Sequence, residues 1–247
     1  MTTDPGPRAV RIVGAGRAGG SFELALRRLG WDVEVLGRDG DMRSAAAGVD
    51  LLLLCVPDAQ IAAVAASVEP VDDTVVAHCA GSLGLDVLEA HPRRATVHPL
   101  VSLPSPEVGA DRLVGAWYGI SGDPLAAETV DALGGRAVEV RDEDRVAYHA
   151  AAVVASNHLV ALLGQVERIA AGVDVPLEAF LALASGSLDN VAALGPAAAL
   201  TGPVARGDWV TVQRHLDTID PREREAYLAL ARAAAWLVER DVPPLET

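Results

Sequence analysis

The sequence predicts an α/β chain: a mostly parallel sheet covered by helices, followed by an all-helical second domain. Three observations predict it. Short β-type runs alternate with helical patterns through the first half, the spacing of strand–helix–strand units. The first run opens into a helix through the glycine-rich turn GAGRAGG. From Val146 onward no period-two pattern survives, and Ala- and Leu-rich segments are separated by Gly172, Pro176, Gly195, Pro196, Pro203 and Pro221.

Taken in order, residues 8–13 form a strand, 17–29 a helix, 32–36 a strand and 42–47 a short helix. A strand over 51–56 and a helix over 61–68 follow. Further strands are expected at 74–78, 96–98, 117–120 and 137–140, with helical stretches at 85–90 and 125–133. The runs VRIVG and LLLLCV are continuously apolar, as strands buried on both faces require. The charged pentapeptide at 141–145 ends the alternation, so the domains divide as 1–143 and 144–247, the second holding four or five helices.

The chain has 247 residues, enough to bury a substantial core. It carries 34 acidic residues against 20 basic ones, a net charge of -14, which argues against nucleic acid or an anionic membrane as partner. All the basic residues are arginine. Without lysine, Schiff-base chemistry, the usual P-loop and a lysine general acid are excluded. Cys55 and Cys79 lie in apolar runs without metal-ligand spacing and read as buried apolar residues rather than a disulfide; no metal site is expected. The start holds Asp4, Pro5 and Pro7 and no apolar stretch of signal-peptide length. The apolar segment 146–164 is interrupted by His149, Ser156, Asn157 and His158 and reads as a buried helix, not a membrane span. A soluble, cytoplasmic protein is expected.

Gly14, Gly16 and Gly19 stand in GxGxxG register after a strand and at the start of a helix. The first glycine makes the turn, the second admits a pyrophosphate to the backbone, and the third allows close helix–strand packing. The helix N-terminus favours the anion, with Arg17 beside it. Dinucleotide sites of this spacing place a carboxylate on the ribose at the end of the second strand, about 20 residues on. Here that position is Gly37, followed by Arg38, an arrangement suited to a 2′-phosphate, so NADP is expected over NAD. Val56 and Pro57 follow the third strand, where their backbone would line the nicotinamide-ribose side.

VRIVGAGRAGG, GRD, LLLLCVPD and the all-helical second half resemble the Rossmann reductases of the 6-phosphogluconate-dehydrogenase type. HCAGSLGLDVL, TVHPLVSLP, YHAAAVVASNHLVAL and ALTGPVARGDWVTVQRHL resemble a bacterial branch with a C-terminal helical domain of unknown function. The resemblance implies a Rossmann-type NADP domain followed by a 6-phosphogluconate-dehydrogenase-like helical domain. Members such as the β-hydroxyacid dehydrogenases use a lysine on the first long helix of the second domain, four residues before an asparagine. Here Val153 precedes Asn157 at that spacing, so any proton donor is another group.

His98, in ATVHPL, looks like the His-Pro-Met element of prephenate dehydrogenases, which implies acid–base work on a substrate oxygen; the alternative is a packed histidine bonding a loop carbonyl. Ser82 either bonds the same oxygen or N-caps a following helix. His78, still inside its strand, reads more as core than as ligand contact. His149 and Asn157, on an otherwise apolar helix, either hold a substrate carbonyl or carboxylate or belong to an internal network. Arg206 is a candidate for a substrate carboxylate, and Asp208 reads as the N-cap of helix 209–218. Asp142, Glu143 and Asp144 read as acidic residues at a helix start.

The expected function is an NADPH-dependent oxidoreductase acting on a small, carboxylate-bearing carbonyl or imine compound in an interdomain cleft. His98 would be the acid–base group, with Ser82, His149 and Asn157 orienting substrate. The alternatives are a non-catalytic NADP(H)-binding sensor or scaffold, and a prephenate-dehydrogenase-like or ketopantoate-reductase-like enzyme. A homodimer through the helical domain is expected from its apolar surface.

Overall fold

The computed structural model describes residues 8–37 and 40–245. The chain divides into two compact units, Met1–Ser156 and Asn157–Thr247. The first is built on a seven-stranded sheet: β1 (Ala9–Val13), β2 (Asp32–Leu36), β3 (Leu51–Leu54), β4 (Val75–His78), β5 (Arg93–Pro99), β6 (Trp117–Gly122) and β7 (Arg136–Glu139). Their order is β2-β1-β3-β4-β5-β6-β7. β1 to β5 are parallel, β6 runs antiparallel to β5, and β7 is parallel to β6. This is the Rossmann-like, mostly parallel sheet the sequence predicts, and the strand order reverses between β1 and β3, where such sheets bind ligands.

Its helices are α1 (Arg17–Arg28), α2 (Asp58–Ser67), α3 (Pro106–Leu113), α4 (Leu125–Ala132) and α5 (Arg145–Val153). Alternation along the strands sorts the core into two layers. Val10, Ile12, Leu51, Leu53, Val75, Ala77, Ala95 and Val97 face Phe22 and Leu26 of α1, Leu113 of α3 and Val130 of α4. Leu52, Leu54 and Val76 face the other way, against Ile61 and Ala65 of α2 and Leu88. Every residue of β3 and β4 is buried, which is why those runs show no period-two signal. Thr96 and His98, even-numbered on β5, therefore point to the α2 side.

Several elements differ from expectation. Residues 42–47 form turns rather than a helix; Asp41 bonds the Arg43 amide and the Ser44 hydroxyl, an alternative local bonding to helix. The helix expected at 85–90 is a 3₁₀ turn, Leu85–Leu88. α3 was not expected; it starts at Ser105, whose hydroxyl accepts from the Val108 amide, with Pro106 in its first turn. The change to helices alone follows β7, as the pentapeptide at 141–145 implies, while the units part at 156 because α5 bonds to the sheet of the first unit.

A π-helical turn, Val154–His158, follows α5. The second unit continues with α6 (Leu159–Ala171), α7 (Leu177–Leu194), α8 (Pro196–Ala199), α9 (Gly202–Arg206), α10 (Trp209–Thr218) and α11 (Pro221–Leu237). Its core is Val204, Val212, Ala231 and Ala235, flanked by Trp209 and Tyr227. Asp208 N-caps α10 by accepting from the Thr211 amide at 3.1 Å. Arg168 pairs with Glu223, and His215 bonds the Tyr227 hydroxyl at 2.6 Å.

The helix over 146–164 is not buried, contrary to its apolar composition: Val146, Val154 and Val160 are exposed. The segments Asp142–Ala171 and Leu177–Leu194 are long and apolar enough to cross a membrane by length and composition alone, and no residue of their most apolar windows is buried.

Candidate functional site

The glycine turn has a geometry that fits a dinucleotide. Gly14 has φ +106°, and a Cβ there would lie 2.6 Å from the Cys55 carbonyl oxygen at the end of β3. A Cβ on Gly19 would run into the Gly14 carbonyl, so both glycines are required by the fold itself. Gly16 differs: it is exposed, and nothing lies within 4 Å of where its Cβ would stand. It N-caps α1 without any side-chain hydrogen bond, and the first turn of α1 carries no acidic residue. The open amides and Arg17, exposed and without an ion pair among the described residues, fit a pyrophosphate. Pro57 N-caps α2, and half-buried Val56 and exposed Pro57 stand at the same C-terminal sheet edge. Arg38, the residue expected to choose NADP, lies outside the described residues.

At the same edge, two strands along, a polar cluster forms around His98. β4 ends at His78, opposite Thr96, so His98 extends two residues beyond β4 beneath the segment 79–81. Its Nδ1 is 2.7 Å from the Tyr148 hydroxyl of α5, with the two rings edge to face. Its ring also meets that of His149 edge to face, centroids 6.0 Å apart. Two glycines make room. A Cβ on Gly81 would stand 2.6 Å from His149 Cδ2 and 2.8 Å from His98 Nε2, and one on Gly119, opposite His98 on β6, would collide with the Tyr148 hydroxyl. His98 Nδ1 thus faces Tyr148 while Nε2 faces the Gly81 backbone.

Beneath the cluster lies Arg145, one turn before Tyr148 and wholly buried. In the sequence the charged pentapeptide at 141–145 marks the end of the strand–helix alternation; its last member, Arg145, faces the sheet. Its Nη2 donates to Thr96 Oγ1 and, at 2.9 Å, to Ser121 Oγ. Its Nε lies 3.8 Å from Asp142 Oδ1, and Nε and Nη1 have no hydrogen-bond partner among the described residues. Asp142 does more than start a helix: its Oδ2 accepts from the Leu85 amide at 2.9 Å and so caps the 3₁₀ turn Leu85–Leu88. Burial, then the neighbouring charges of His149, Arg145 and His78, push the His98 pKa down to about 4, so the imidazole is neutral at pH 7. Burial raises Tyr148, opposed by the Arg145 charge. Tyr148 also lines an open depression of about 480 Å³ with Glu139, Val140, Arg141 and Asp144.

The other candidates fall out as follows. His78 is buried and engaged at both nitrogens: Nε2 lies 3.1 Å from the Gly84 carbonyl and Nδ1 accepts from the Ala80 amide, a structural role. Ser82 is not a helix cap; Gly84 occupies that position, and Ser82 makes no side-chain hydrogen bond among the described residues. His149 joins the cluster. Asn157 lies in the second unit, within the π turn Val154–His158, and is not brought to the His98 cluster. Ser156 spends its hydroxyl on the Ala152 carbonyl. Cys55 and Cys79 are free thiols with Sγ atoms 3.6 Å apart. Among the described residues no cluster of His, Cys, Asp or Glu fits a metal. Tyr148, Arg145 and Gly81 were missed, although the Arg-x-x-Tyr-His spacing, one helical turn, was a signal available beforehand.

Residues 119–234 match the model of a family described as a domain of unknown function, DUF2520. No curated protein matches the chain. Among solved structures, the chain is similar to a Bacteroides fragilis protein described as an NADP oxidoreductase. The two are 20% identical with a TM-score of 0.76 over 93% of this chain and 98% of that one. Protein TM1727 of Thermotoga maritima gives 23% identity and a TM-score of 0.71 over the same shares. The pyrroline carboxylate reductase of Plasmodium falciparum, solved with NADP bound, gives 13% and 0.63 over 92% of this chain and 98% of that one. At these identities the likeness is one of fold.

Proposed function

We propose that the protein is an NADPH-dependent reductase of a small carbonyl or imine compound, with His98 as its acid–base group. The observation that carries this reading is the placement of a neutral histidine, held by Tyr148 and flanked by His149, at the sheet edge that also carries the open Gly16 turn. NADPH, when bound, supplies the hydride; the chain's part is to bind it, orient the substrate and move the proton. Gly14, Gly16, Gly19 and Arg17 receive the pyrophosphate, Arg38 the 2′-phosphate, and Val56 and Pro57 line the nicotinamide-ribose side. His149 and Ser82 orient the substrate around His98. The Plasmodium structure with NADP and the Aspergillus terreus reductive aminase solved with a nicotinamide cofactor, 15% identical with a TM-score of 0.61, lend the cofactor support.

The exposed apolar residues Val160, Leu183, Leu188 and Leu194 of α6 and α7 support a homodimer through the helical unit, to be tested by light scattering. The test of function is NADPH turnover by pure protein against keto acids, cyclic imines and amine–ketone pairs. Turnover that His98→Asn lowers by more than about tenfold is expected. Tight NADPH binding with no turnover on the whole panel overturns the reading in favour of a cofactor-binding sensor, which the absent lysine favours.

A further inference from the structure

We propose that Tyr148 is a relay residue that supplies His98 with its proton, so that a neutral imidazole serves as the acid. The inference rests on the reductase reading. Tyr148 meets Nδ1 at 2.7 Å, leaving Nε2, the atom facing Gly81, as the nitrogen that can meet substrate. With the phenol donating to Nδ1, the neutral ring carries its hydrogen on Nε2.

The step balances as follows. The substrate carbon accepts a hydride from the dihydronicotinamide, and its oxygen or nitrogen takes the Nε2 proton. The Tyr148 O–H bond breaks, and its proton goes to Nδ1. The imidazole stays neutral and the charge passes to the phenolate, which is easier to hold than an imidazolate. Arg145, one turn earlier on the same helix and without full hydrogen bonding, supplies the opposite charge. The cycle closes when Nε2 takes a proton from solvent and Nδ1 returns its own to the phenolate. Gly119 is part of the device, since any side chain there would displace the hydroxyl. Among the described residues, the charged and titratable groups around the pair are Arg145 and His149 from α5 and His78 from β4, with Glu139, Arg141 and Asp144 lining the depression on the Tyr148 side.

Tyr148→Phe removes one oxygen and keeps the ring. Its expected effect is a kcat at least about thirtyfold lower, with KM and NADPH affinity within about twofold. The wild-type proton inventory should curve, with two protons in flight, and that of the variant should be linear. Nitrogen-15 spectra should show the Nε2–H tautomer of His98 in the wild type and a His98 pKa above about 4 in the variant. A kcat within about threefold of an active wild type, or an Nδ1–H tautomer in the wild type, overturns the relay alone. A wild type inert on the whole panel overturns the reductase reading and the relay with it.

A separate observation assigns a modification site. Cys55 and Cys79 directly follow the paired residues Leu54 and His78 at the ends of adjacent parallel strands. Neighbouring strands lie about 4.8 Å apart, a separation compatible with a disulfide. Their Sγ atoms are 3.6 Å apart; Cys79 is partly exposed, and the Cys55 carbonyl sits against Gly14. We infer that a peroxide-class oxidant links them: the Cys79 thiolate is oxidised to a sulfenic acid with loss of water, and Cys55 displaces a second water to form the disulfide. Closing the gap to about 2.05 Å pulls on the floor of the glycine turn. Hydrogen peroxide should therefore remove two hydrogens from the intact mass and weaken NADPH binding at least about fivefold, reversed by dithiothreitol and absent in Cys79→Ser. Two free thiols after peroxide, or a disulfide that leaves the affinity unchanged, overturns the inference.

Discussion

The ionisation of His98 is the most direct test of the site. Its pKa is lowered from 6.5 to about 4 by burial first and then by electrostatic interaction with His149, Arg145 and His78. At about 1.4 kcal/mol per pH unit, protonating it in the folded chain costs about 3 kcal/mol more than in the unfolded one. Between pH 6.5 and about 4 the unfolded state binds a proton that the folded state refuses. The stability associated with the neutral ring is thus fully present above pH 6.5 and is lost as pH falls toward 4, below which the difference is constant. The assay is a histidine Cε1–H NMR titration of the six histidines, with the His98 resonance assigned by its loss in His98→Gln. The same variant should flatten the acid limb of the urea-denaturation midpoint, since glutamine does not titrate. A His98 that titrates at 6 or above, or an acid limb unchanged in His98→Gln, refutes the account of a desolvated ring beside a buried guanidinium.

Three further outcomes follow from the geometry. Gly16→Ala should leave thermal stability within about 2 °C of wild type, because its Cβ meets nothing, yet raise the NADPH dissociation constant at least about tenfold by calorimetry; unchanged affinity would remove the turn from the cofactor site. Gly81→Ala should lower kcat by more than about tenfold, with the circular dichroism spectrum preserved, since the added methyl displaces both His98 and His149. Arg145→Met should raise the His98 pKa measured by NMR, while Thr96 and Ser121 keep each other as partners at 3.0 Å; an unmoved pKa would show that the buried guanidinium does not act on the histidine.

The fold was legible because its strongest signals are local. The alternation of apolar runs with helical patterns and the glycine turn each report a short-range requirement, and the structure meets them at β1, α1, β2 and β3. The misses have the opposite character. Residues 42–47 have helical composition, but Asp41 ties their backbone into turns, and α3 hides behind a proline-rich start that reads as loop. The helix 146–164 is apolar enough to be buried, yet burial depends on what surrounds it, which periodicity cannot report. The site divides in the same way. Gly14, Gly16 and Gly19 could be assigned from spacing, whereas Tyr148, Arg145 and Asp142 act through contacts 20 to 60 residues distant in the chain.

The missing lysine takes its meaning from those long-range contacts. Resemblance to the lysine-dependent dehydrogenases places the absent donor at Val153, and nothing at that position can carry a proton. The helix nonetheless brings two other groups to the sheet: Arg145 and Tyr148 lie one turn apart, on a face different from that of Val153, since five residues from Tyr148 rotate the helix by about 140°. The Tyr148 hydroxyl on that face meets His98 Nδ1 at 2.7 Å, and in the relay we propose the proton arrives through the imidazole. Such a ring must be neutral to begin with, and burial, aided by His149 beside it and the buried Arg145 below it, keeps it so. Under the proposed reductase reading, a chain without lysine relies on a histidine that its surroundings keep neutral at pH 7.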